Sequence, residues 1–217
     1  MSIQTREHFS LPAPCLSFSY LQYLPPAYAE SDGDFPLVIF LHGSGERGDD
    51  LDLLTLHGWP RYIREGRDYP FILVSPQLPW GEFWCSYIES LNLFLDHILA
   101  TLPVDPKRVY LTGLSNGGTG TYLWGQTSPQ RFAALLPVCG AGIVWQTYKL
   151  ARTPLWAFHG DQDASIQCEE SIRMVEGINA RGGDAKLTIY PGVGHNCWVH
   201  VYDDPEVMAW MLEQHLN

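Results

Sequence analysis

Continuous apolar runs alternate with amphipathic segments along the chain, and this alternation predicts the main elements. The run FPLVIFL at Phe35–Leu41 and the run FILV at residues 71–74 are typical of strands buried on both faces. Shorter apolar runs predict further strands at residues 109–111, Ala134–Val138, 155–158 and 187–190, and a first extended stretch covers residues 16–24.

Segments whose apolar residues recur at helical spacing lie between most of these predicted strands. Between residues 87 and 102 the side chains of Leu91, Leu95 and Ile98 recur on one helical face, and Pro103 ends the pattern. Repeated alternation of strands and helices predicts an α/β fold, a three-layer α/β/α sandwich with a mostly parallel central sheet. At 217 residues the chain is predicted to be one domain, 1–217. Further helices are predicted at residues 117–127, 165–180 and 205–215.

The acidic net charge of the chain disfavours nucleic acids and anionic membranes as partners. The formal net charge is -11, from 24 acidic and 13 basic residues, whereas nucleic acids and anionic membrane surfaces are bound through basic patches. The sequence has no apolar stretch of about 18 residues and no visible signal peptide, so the expected location is the cytoplasm, with no membrane partner. A homodimer is compatible with this composition.

Five cysteines are widely spaced and form no C-x-x-C pair. This arrangement favours reduced, mostly buried thiols over a disulfide framework or a zinc site. We therefore expect no metal site.

Residues able to carry chemistry are concentrated where the predicted strands end. In a parallel sheet the loops at the carboxyl ends of the strands meet at one edge. The loops begin HGSGERG at residue 42, SPQLPWGEFW at 75, GLSNGG at 113, CGAG at 139, HGDQD at 159 and PGVGHNCW at 191. A serine, acidic residues and histidines are thereby placed at the same edge, in the chain order Ser, Asp, His.

The stretch Gly113-Leu114-Ser115-Asn116-Gly117 has the pattern G-x-S-x-G between a strand and a helix. A serine on such a sharp turn takes a strained backbone conformation that small neighbours tolerate, and its hydroxyl stands clear of the chain. Ser115 is therefore the candidate nucleophile. The alternative is a glycine turn in which Ser115 only caps the helix.

A serine hydroxyl needs a base within hydrogen-bond reach and a carboxylate that orients the base. His195 is the best candidate base, because its loop follows the last strand and can reach Ser115. His42 and His159 stand at strand ends before glycine, where imidazoles more often make structural hydrogen bonds, and His200 is a lesser alternative.

For the acid, Asp161 and Asp163 both follow the strand that ends at residue 158, and position alone does not separate them. A helix N-cap or a solvated loop pair is the alternative account of either aspartate.

A negatively charged tetrahedral intermediate also needs backbone N–H donors. Asn116, which follows the nucleophile, is expected to supply one, and the loop HGSGERG offers the second, at Ser44. This loop lacks the lysine and the glycine spacing of a phosphate-binding loop.

The motifs LHGSGERGDD, PFILVSPQ, VDPKRVYLTGLSNGG, HGDQDASI and YPGVGHNCW together resemble the α/β-hydrolase superfamily. The similarity is to its small branch with little or no lid, which contains phospholipase/carboxylesterase-like, dienelactone-hydrolase-like and polyhydroxybutyrate-depolymerase-related proteins. It implies Ser115 as nucleophile, Asp163 in H-G-x-x-D as acid, His195 as base, and the amides of Ser44 and Asn116 as the oxyanion hole. The branch usually has Met at position 116, so a more polar pocket floor is expected here.

The resemblance implies a serine carboxylic-ester hydrolase that acts through an acyl-enzyme on small or short-acyl esters and needs no cofactor. An acyl-protein thioesterase or a serine peptidase would use the same triad, and a non-catalytic ligand-binding protein is an alternative of another class. A dienelactone hydrolase of the usual kind has cysteine at the position of Ser115.

The sequence leaves two alternatives for the tryptophans and two for the charged residues near the pocket. Trp84 and Trp198, with Trp80 and Trp145, fall in loops at the candidate edge and either wall a groove or only pack. Glu46 and Arg47 either form an ion pair that braces the loop HGSGERG, the oxyanion loop, or are solvated.

Overall fold

One eight-stranded sheet runs through the computed structural model, which describes residues 3–13, 15–30 and 33–216. The sheet has the order β1-β2-β4-β3-β5-β6-β7-β8; β1 and β2 are antiparallel additions, and β3 to β8 pair in parallel. The strands are β1 (Gln4–Phe9), β2 (Phe18–Tyr23), β3 (Phe35–Leu41), β4 (Ile72–Pro76), β5 (Val104–Leu114), β6 (Ala134–Val138), β7 (Trp156–Gly160) and β8 (Lys186–Tyr190).

Helices cover both faces of this sheet. They are α1 (Gly58–Arg64), α2 (Ile88–Thr101), α3 (Asn116–Thr127), α4 (Glu169–Asn179), α5 (Trp198–Val201) and α6 (Pro205–Leu212). Every residue of β3 is buried, and its side chains alternate between two apolar cores. Ile39 packs in the core with α2, α3 and α4, whereas Phe40 packs in the core with α1 and α6. The predicted three-layer α/β sandwich with a mostly parallel sheet is thus confirmed.

The structure departs from the predicted elements mainly where side chains are polar. Strand β1 was not expected, because its sequence QTREHF has no apolar run; it lies at the edge of the sheet, where most side chains remain accessible. Strand β5 extends the predicted residues 109–111 in both directions, into the exposed segment that precedes them and to Leu114. Helix α4 begins at Glu169, after a loop that includes Ser165.

All five cysteines are free, as expected, but only Cys139 and Cys197 are buried, and Cys85 is exposed. The prediction of mostly buried thiols was therefore wrong, because three cysteines lie in or beside surface loops.

Between β6 and β7 the chain forms a short 3-10 helix, Val144–Leu150, and no separate lid. Within the described ranges, no helix is long and apolar enough to cross a membrane.

Candidate active site

Ser115 stands on a sharp turn between β5 and α3. Its backbone has φ 55° and ψ -115°, in the left-handed region that non-glycine residues rarely adopt. The turn is held because the Ser115 N–H donates to the Val138 carbonyl at 2.9 Å, and the Thr119 N–H donates to the Ser115 carbonyl. This is the strained strand-to-helix geometry that G-x-S-x-G predicts.

Gly117 makes this turn sterically feasible. A Cβ atom at position 117 would lie 1.9 Å from the carbonyl oxygen of Leu41, well inside any permitted contact. Only glycine lets α3 approach the end of β3 this closely. The first turn of α3 consequently lies beneath the Ser115 hydroxyl, next to the loop that follows β3.

Ser115, His195 and Asp163 form one continuous hydrogen-bonded chain. The Ser115 Oγ lies 2.8 Å from His195 Nε2, and His195 Nδ1 lies 2.7 Å from Asp163 Oδ2. The same arrangement activates serine in hydrolases that use a triad. The three residues come from the ends of β5, β7 and β8, at the sheet edge that the sequence pattern indicated.

The loop that carries His195 is held close to β7. Gly160, the last residue of β7, packs against this loop: a Cβ atom there would lie 2.2 Å from the Val193 carbonyl oxygen. The Gln162 N–H donates to the same carbonyl at 3.0 Å. The absence of a side chain at Gly160 therefore brings His195 within reach of the acid.

The structure separates the two candidate acids. Asp163 is buried, and its Oδ1 accepts hydrogen bonds from the amides of Ser165 and Ile166 at 2.8 and 3.0 Å. Burial alone would raise the pKa of Asp163, but the hydrogen bonds from His195 and from these two amides hold that pKa below its ordinary value. Asp161 instead accepts a hydrogen bond from the Gly192 amide and has no contact with the base.

Ser44 and Asn116 occupy equivalent backbone positions. Ser44 is the first residue of a 3-10 turn, Ser44–Glu46, and Asn116 is the first residue of α3. The amide of a first helical residue has no partner within its own helix, so both N–H groups are available to an oxyanion. Ser44 and Ser115 line the same cleft. The Asn116 side chain is buried with its Nδ2 unpartnered and does not line that cleft, so the expected polar pocket floor is not formed by this residue.

Arg47 braces the oxyanion loop through carbonyl groups. Its Nε donates to the Ser44 carbonyl at 2.8 Å, its Nη1 donates to the Glu82 carbonyl at 3.2 Å, and its guanidinium lies over the Phe83 ring. Glu46 has other partners: it is buried, and its Oε1 lies 3.5 Å from His57 Nε2. The two residues therefore support the loop separately.

Replacing Arg47 with alanine is expected to lower kcat for ester hydrolysis by about 10-fold, because losing the restraint on Ser44 misplaces its amide. KM should change by less than about twofold, since the guanidinium does not line the cleft. Steady-state kinetics measure both values, and Arg173→Ala, an exposed arginine on α4, is the matched control. An unchanged kcat for Arg47→Ala would contradict this role.

His42 supports the same loop from beneath. Its Nδ1–H donates to the Gly43 carbonyl at 2.5 Å, and its Nε2 accepts from the Leu78 amide at 3.0 Å. The Trp84 indole Nε1 donates to the His42 carbonyl at 2.9 Å. Burial lowers the pKa of His42 to about 4, so the imidazole is neutral near pH 7.

This lowered pKa predicts an acid-dependent loss of stability. Below the unfolded-state value of 6.5, unfolded His42 binds a proton that folded His42 does not bind until about pH 4. Stability from the neutral imidazole is thus present above about pH 6.5 and falls as the pH approaches 4. The free energy of unfolding of wild type, measured relative to that of His42→Gln, should fall by about 2 kcal/mol between about pH 7 and about pH 5. Urea unfolding at both pH values tests this, and a pH-independent difference would refute it.

The candidate site opens into a cleft of about 460 Å³. Trp198 lines it, with its ring 5.5 Å from the His195 ring and 5.3 Å from the His57 ring. Of the two alternatives for Trp84, the tentative assignment to the pocket wall is wrong: Trp84 is fully buried behind the oxyanion loop, against Gly120 and His42. The full lining comprises Gly43, Ser44, Gly45, Glu46, His57, Leu114, Ser115, Ser165, His195 and Trp198.

A larger hollow of about 570 Å³ lies elsewhere. It is bordered by Ala133 and Pro154, which precede β6 and β7, and so it lies at the amino ends of these strands. Ser115 follows the carboxyl end of β5. The larger hollow therefore lies at the opposite ends of the strands from the candidate chemistry.

One group of potential metal ligands occurs among the described residues, formed by Cys139, Asp163 and His195, whose donor atoms lie within 4.8 Å of one another. Two of these residues already bond to each other in the chain that reaches Ser115. Burial raises the pKa of the Cys139 thiol well above its ordinary value, which disfavours the thiolate that metals bind. The expectation of no metal site stays a prediction.

Known proteins resemble this chain over most of its length. The sequence model of the Dienelactone hydrolase family matches residues 91–205. Acyl-protein thioesterase 1 of Gibberella zeae is 27% identical over 220 residues, covering 82% of this chain and 89% of that protein. A crystal structure of a thermostable esterase superposes with a TM-score of 0.87 at 28% identity, covering 98% of this chain and 63% of that chain.

A second solved structure, a ferulic acid esterase, superposes with a TM-score of 0.78 at 16% identity, covering 97% of this chain and 98% of that chain. At this identity the likeness concerns the fold alone. The present chain spans less than two thirds of the thermostable esterase. The two superpositions confirm the predicted α/β-hydrolase fold.

Proposed function

Because the chain belongs to the dienelactone hydrolase family, a family of hydrolases of the esterase and thioesterase type, we propose that it is a serine carboxylic-ester hydrolase acting on small or short-acyl esters. One observation carries the proposal. The hydroxyl of Ser115 is joined to Asp163 through His195 by two hydrogen bonds of 2.8 and 2.7 Å. Ser115 stands where a dienelactone hydrolase of the usual kind has cysteine, which disfavours a dienelactone as the substrate.

The reaction begins when Ser115 Oγ attacks the ester carbonyl carbon and His195 Nε2 accepts the hydroxyl proton. Asp163 keeps the imidazole oriented and stabilises its positive charge. The Ser44 and Asn116 amides donate to the negatively charged oxygen of the tetrahedral intermediate. Collapse of this intermediate breaks the bond to the alcohol, which takes the proton from His195 and leaves the acyl group on Ser115.

Water then completes the cycle. His195 removes a proton from a water molecule, which attacks the acyl carbonyl, and the second tetrahedral intermediate is held by the same two amides. Its collapse returns the proton to Ser115 Oγ and releases the carboxylic acid. The cycle consumes one ester and one water, and it uses neither metal nor cofactor.

The cleft supports a preference for short acyl groups. Leu114 and Trp198 are its main apolar walls, whereas Glu46, His57 and Ser165 give it a polar border. Trp84, which would have extended an apolar groove, is packed away from the cleft. A long acyl chain would therefore find little apolar surface to bury.

A thioesterase is the second candidate, because acyl-protein thioesterase 1 of Gibberella zeae aligns with 82% of this chain. A serine peptidase and a non-catalytic ligand-binding protein remain as outcomes of the same test. The cytoplasmic location, the homodimer and the single-domain organisation stay predictions.

Purified protein should be assayed on p-nitrophenyl acetate, butyrate and palmitate, on an acyl thioester, and on a peptide p-nitroanilide. We expect kcat/KM to be highest for acetate or butyrate and at least about 100-fold lower for palmitate, because the cleft lacks a long apolar wall. Faster turnover of the thioester would favour the second candidate. Binding of esters without any turnover would contradict the proposal.

A further inference from the structure

His159, at the end of β7, is a buried histidine that contacts the acid of the candidate triad. Its side chain is 0% exposed. Its Nε2 lies 3.1 Å from Asp163 Oδ2 and 2.9 Å from the Ile166 carbonyl oxygen, and its Nδ1 lies 2.8 Å from Ser171 Oγ on α4. Since both atoms that face Nε2 are acceptors, Nε2 carries the proton and shares it between the Ile166 carbonyl and Asp163 Oδ2. The Ser171 hydroxyl then donates to Nδ1 and fixes this tautomer.

The hydrogen bond from His159 completes the set of donors around Asp163. Oδ1 accepts from the amides of Ser165 and Ile166, and Oδ2 accepts from both His195 and His159. Both carboxylate oxygens are therefore held, so the carboxyl group cannot rotate without breaking several hydrogen bonds. The direction in which Oδ2 points at His195 Nδ1 is fixed in part by His159.

We propose that His159 is a positioning residue for the reaction: by donating to Asp163 Oδ2, it orients the carboxylate and limits how strongly that carboxylate holds the proton of His195. The inference rests on the proposed function, because it assigns His159 an effect on the same triad. His159 lies outside the cleft lining, so it acts through its contacts with Asp163 and with the Ile166 carbonyl, whose residue also donates its amide to Asp163.

The effect on basicity follows from the charges around the carboxylate. A donor to Asp163 Oδ2 withdraws negative charge that would otherwise stabilise the His195 imidazolium. Removing that donor makes the imidazolium easier to form, so the base is protonated at higher pH and is lost to catalysis there. The acidic limb of the kcat/KM profile should consequently move to higher pH.

Other groups around this pair come from every neighbouring element. Cys139, after β6, places its Sγ within 4.8 Å of the Asp163 and His195 donor atoms, and Cys197 lies beside Cys139. The Tyr122 hydroxyl of α3 lies next to Ser171. Both thiols and the phenol are buried, and burial raises the pKa of Cys139 and Tyr122, so neither gains charge across the acidic limb. Glu46 and His57 line the cleft beside His195, and burial raises the pKa of Glu46 and lowers that of His57. Both residues are the same in wild type and in every variant, so a shift of the limb in a His159 variant reports on Asp163 and His195.

The test compares His159→Leu, which removes the donor, with His159→Gln, whose side-chain amide can donate from the position of Nε2. We expect His159→Leu to lower kcat at least about 10-fold with KM changed less than about twofold, and to shift the acidic limb of kcat/KM upward. His159→Gln should recover most of kcat and a limb close to wild type. His200→Gln, at an exposed histidine whose ring is tilted against the Tyr190 ring, is the matched control.

Thermal unfolding separates this effect from a loss of folding. If His159→Leu does not fold, Ser171→Ala decides, since it removes only the hydroxyl that fixes the tautomer and should shift the limb in the same direction to a smaller extent. Wild-type kcat and an unshifted limb in the folded variant would overturn the inference while leaving the proposed function intact. Absence of any ester hydrolysis by wild type would instead refute the proposed function.

Discussion

Replacing Ser115 with alanine is expected to lower kcat/KM for p-nitrophenyl acetate by at least about 10⁴-fold. The variant retains His195, Asp163 and the two oxyanion amides, but it has no atom that can form the acyl-enzyme. A small residual rate above the uncatalysed reaction is expected, because the oxyanion amides still bind the carbonyl oxygen. The free energy of unfolding should change little, since alanine meets the same backbone strain as serine at φ 55°.

The matched control for this variant is Ser86→Ala, an exposed serine in the turn before α2. Both variants should show wild-type thermal unfolding within about 1 kcal/mol, and only Ser115→Ala should lose activity. Retention of even a tenth of wild-type turnover by Ser115→Ala would assign the nucleophile to another residue.

Replacing Gly117 with alanine is expected to lower the free energy of unfolding by more than about 3 kcal/mol, a large part of the stability of a typical domain. The added Cβ would lie 1.9 Å from the Leu41 carbonyl oxygen, which belongs to a central strand and cannot move aside cheaply. Either α3 is displaced or the end of β3 is distorted, and both changes also disturb the turn that holds Ser115. Urea or thermal unfolding measures the loss.

Gly45 provides the control for that substitution. A Cβ at Gly45 meets no atom within 4 Å, so Gly45→Ala should leave stability unchanged or raise it by up to about 1 kcal/mol. Equal stability of Gly117→Ala and Gly45→Ala would show that the close approach of α3 to β3 is not required.

Buried elements could be predicted from the sequence because their pattern is set by the core. Strand β6 was predicted with its observed bounds, Ala134–Val138, since all five of its residues are buried and apolar or proline. Strand β1 could not be predicted in this way. It pairs only with β2 at the edge of the sheet, so backbone hydrogen bonds rather than apolar side chains define it.

The site was predictable to the extent that backbone position decides function. The G-x-S-x-G pattern placed Ser115, and the loop after the last strand placed His195, because both follow from strand order. The sequence alone could not separate Asp161 from Asp163, which lie two residues apart in one loop. The two aspartates differ in their contacts. Gly160 lets the loop that carries His195 pack close to Asp163, whereas the amide of Gly192 donates a hydrogen bond to the side chain of Asp161.

The direction of a side chain from a loop was the least predictable feature. Trp84 and Trp198 both stand in loops at the edge of the sheet, yet only Trp198 faces the cleft. Trp84 turns inward because Gly120 leaves room for it and the His42 carbonyl accepts its indole N–H. His159 was expected to make structural hydrogen bonds; that one of them reaches Asp163 depends on a loop conformation that no local pattern encodes.

Covalent labelling tests whether Ser115 forms the acyl-enzyme. Wild-type protein should be treated with a fluorophosphonate, and with p-nitrophenyl acetate followed by acid quenching, and then examined by intact mass and peptide mapping. We expect one phosphonyl group per chain and one transient acetyl group, both on Ser115, and neither on Ser115→Ala. An active enzyme that carries no adduct, or carries it on a residue other than Ser115, would contradict the assignment of Ser115 as the nucleophile.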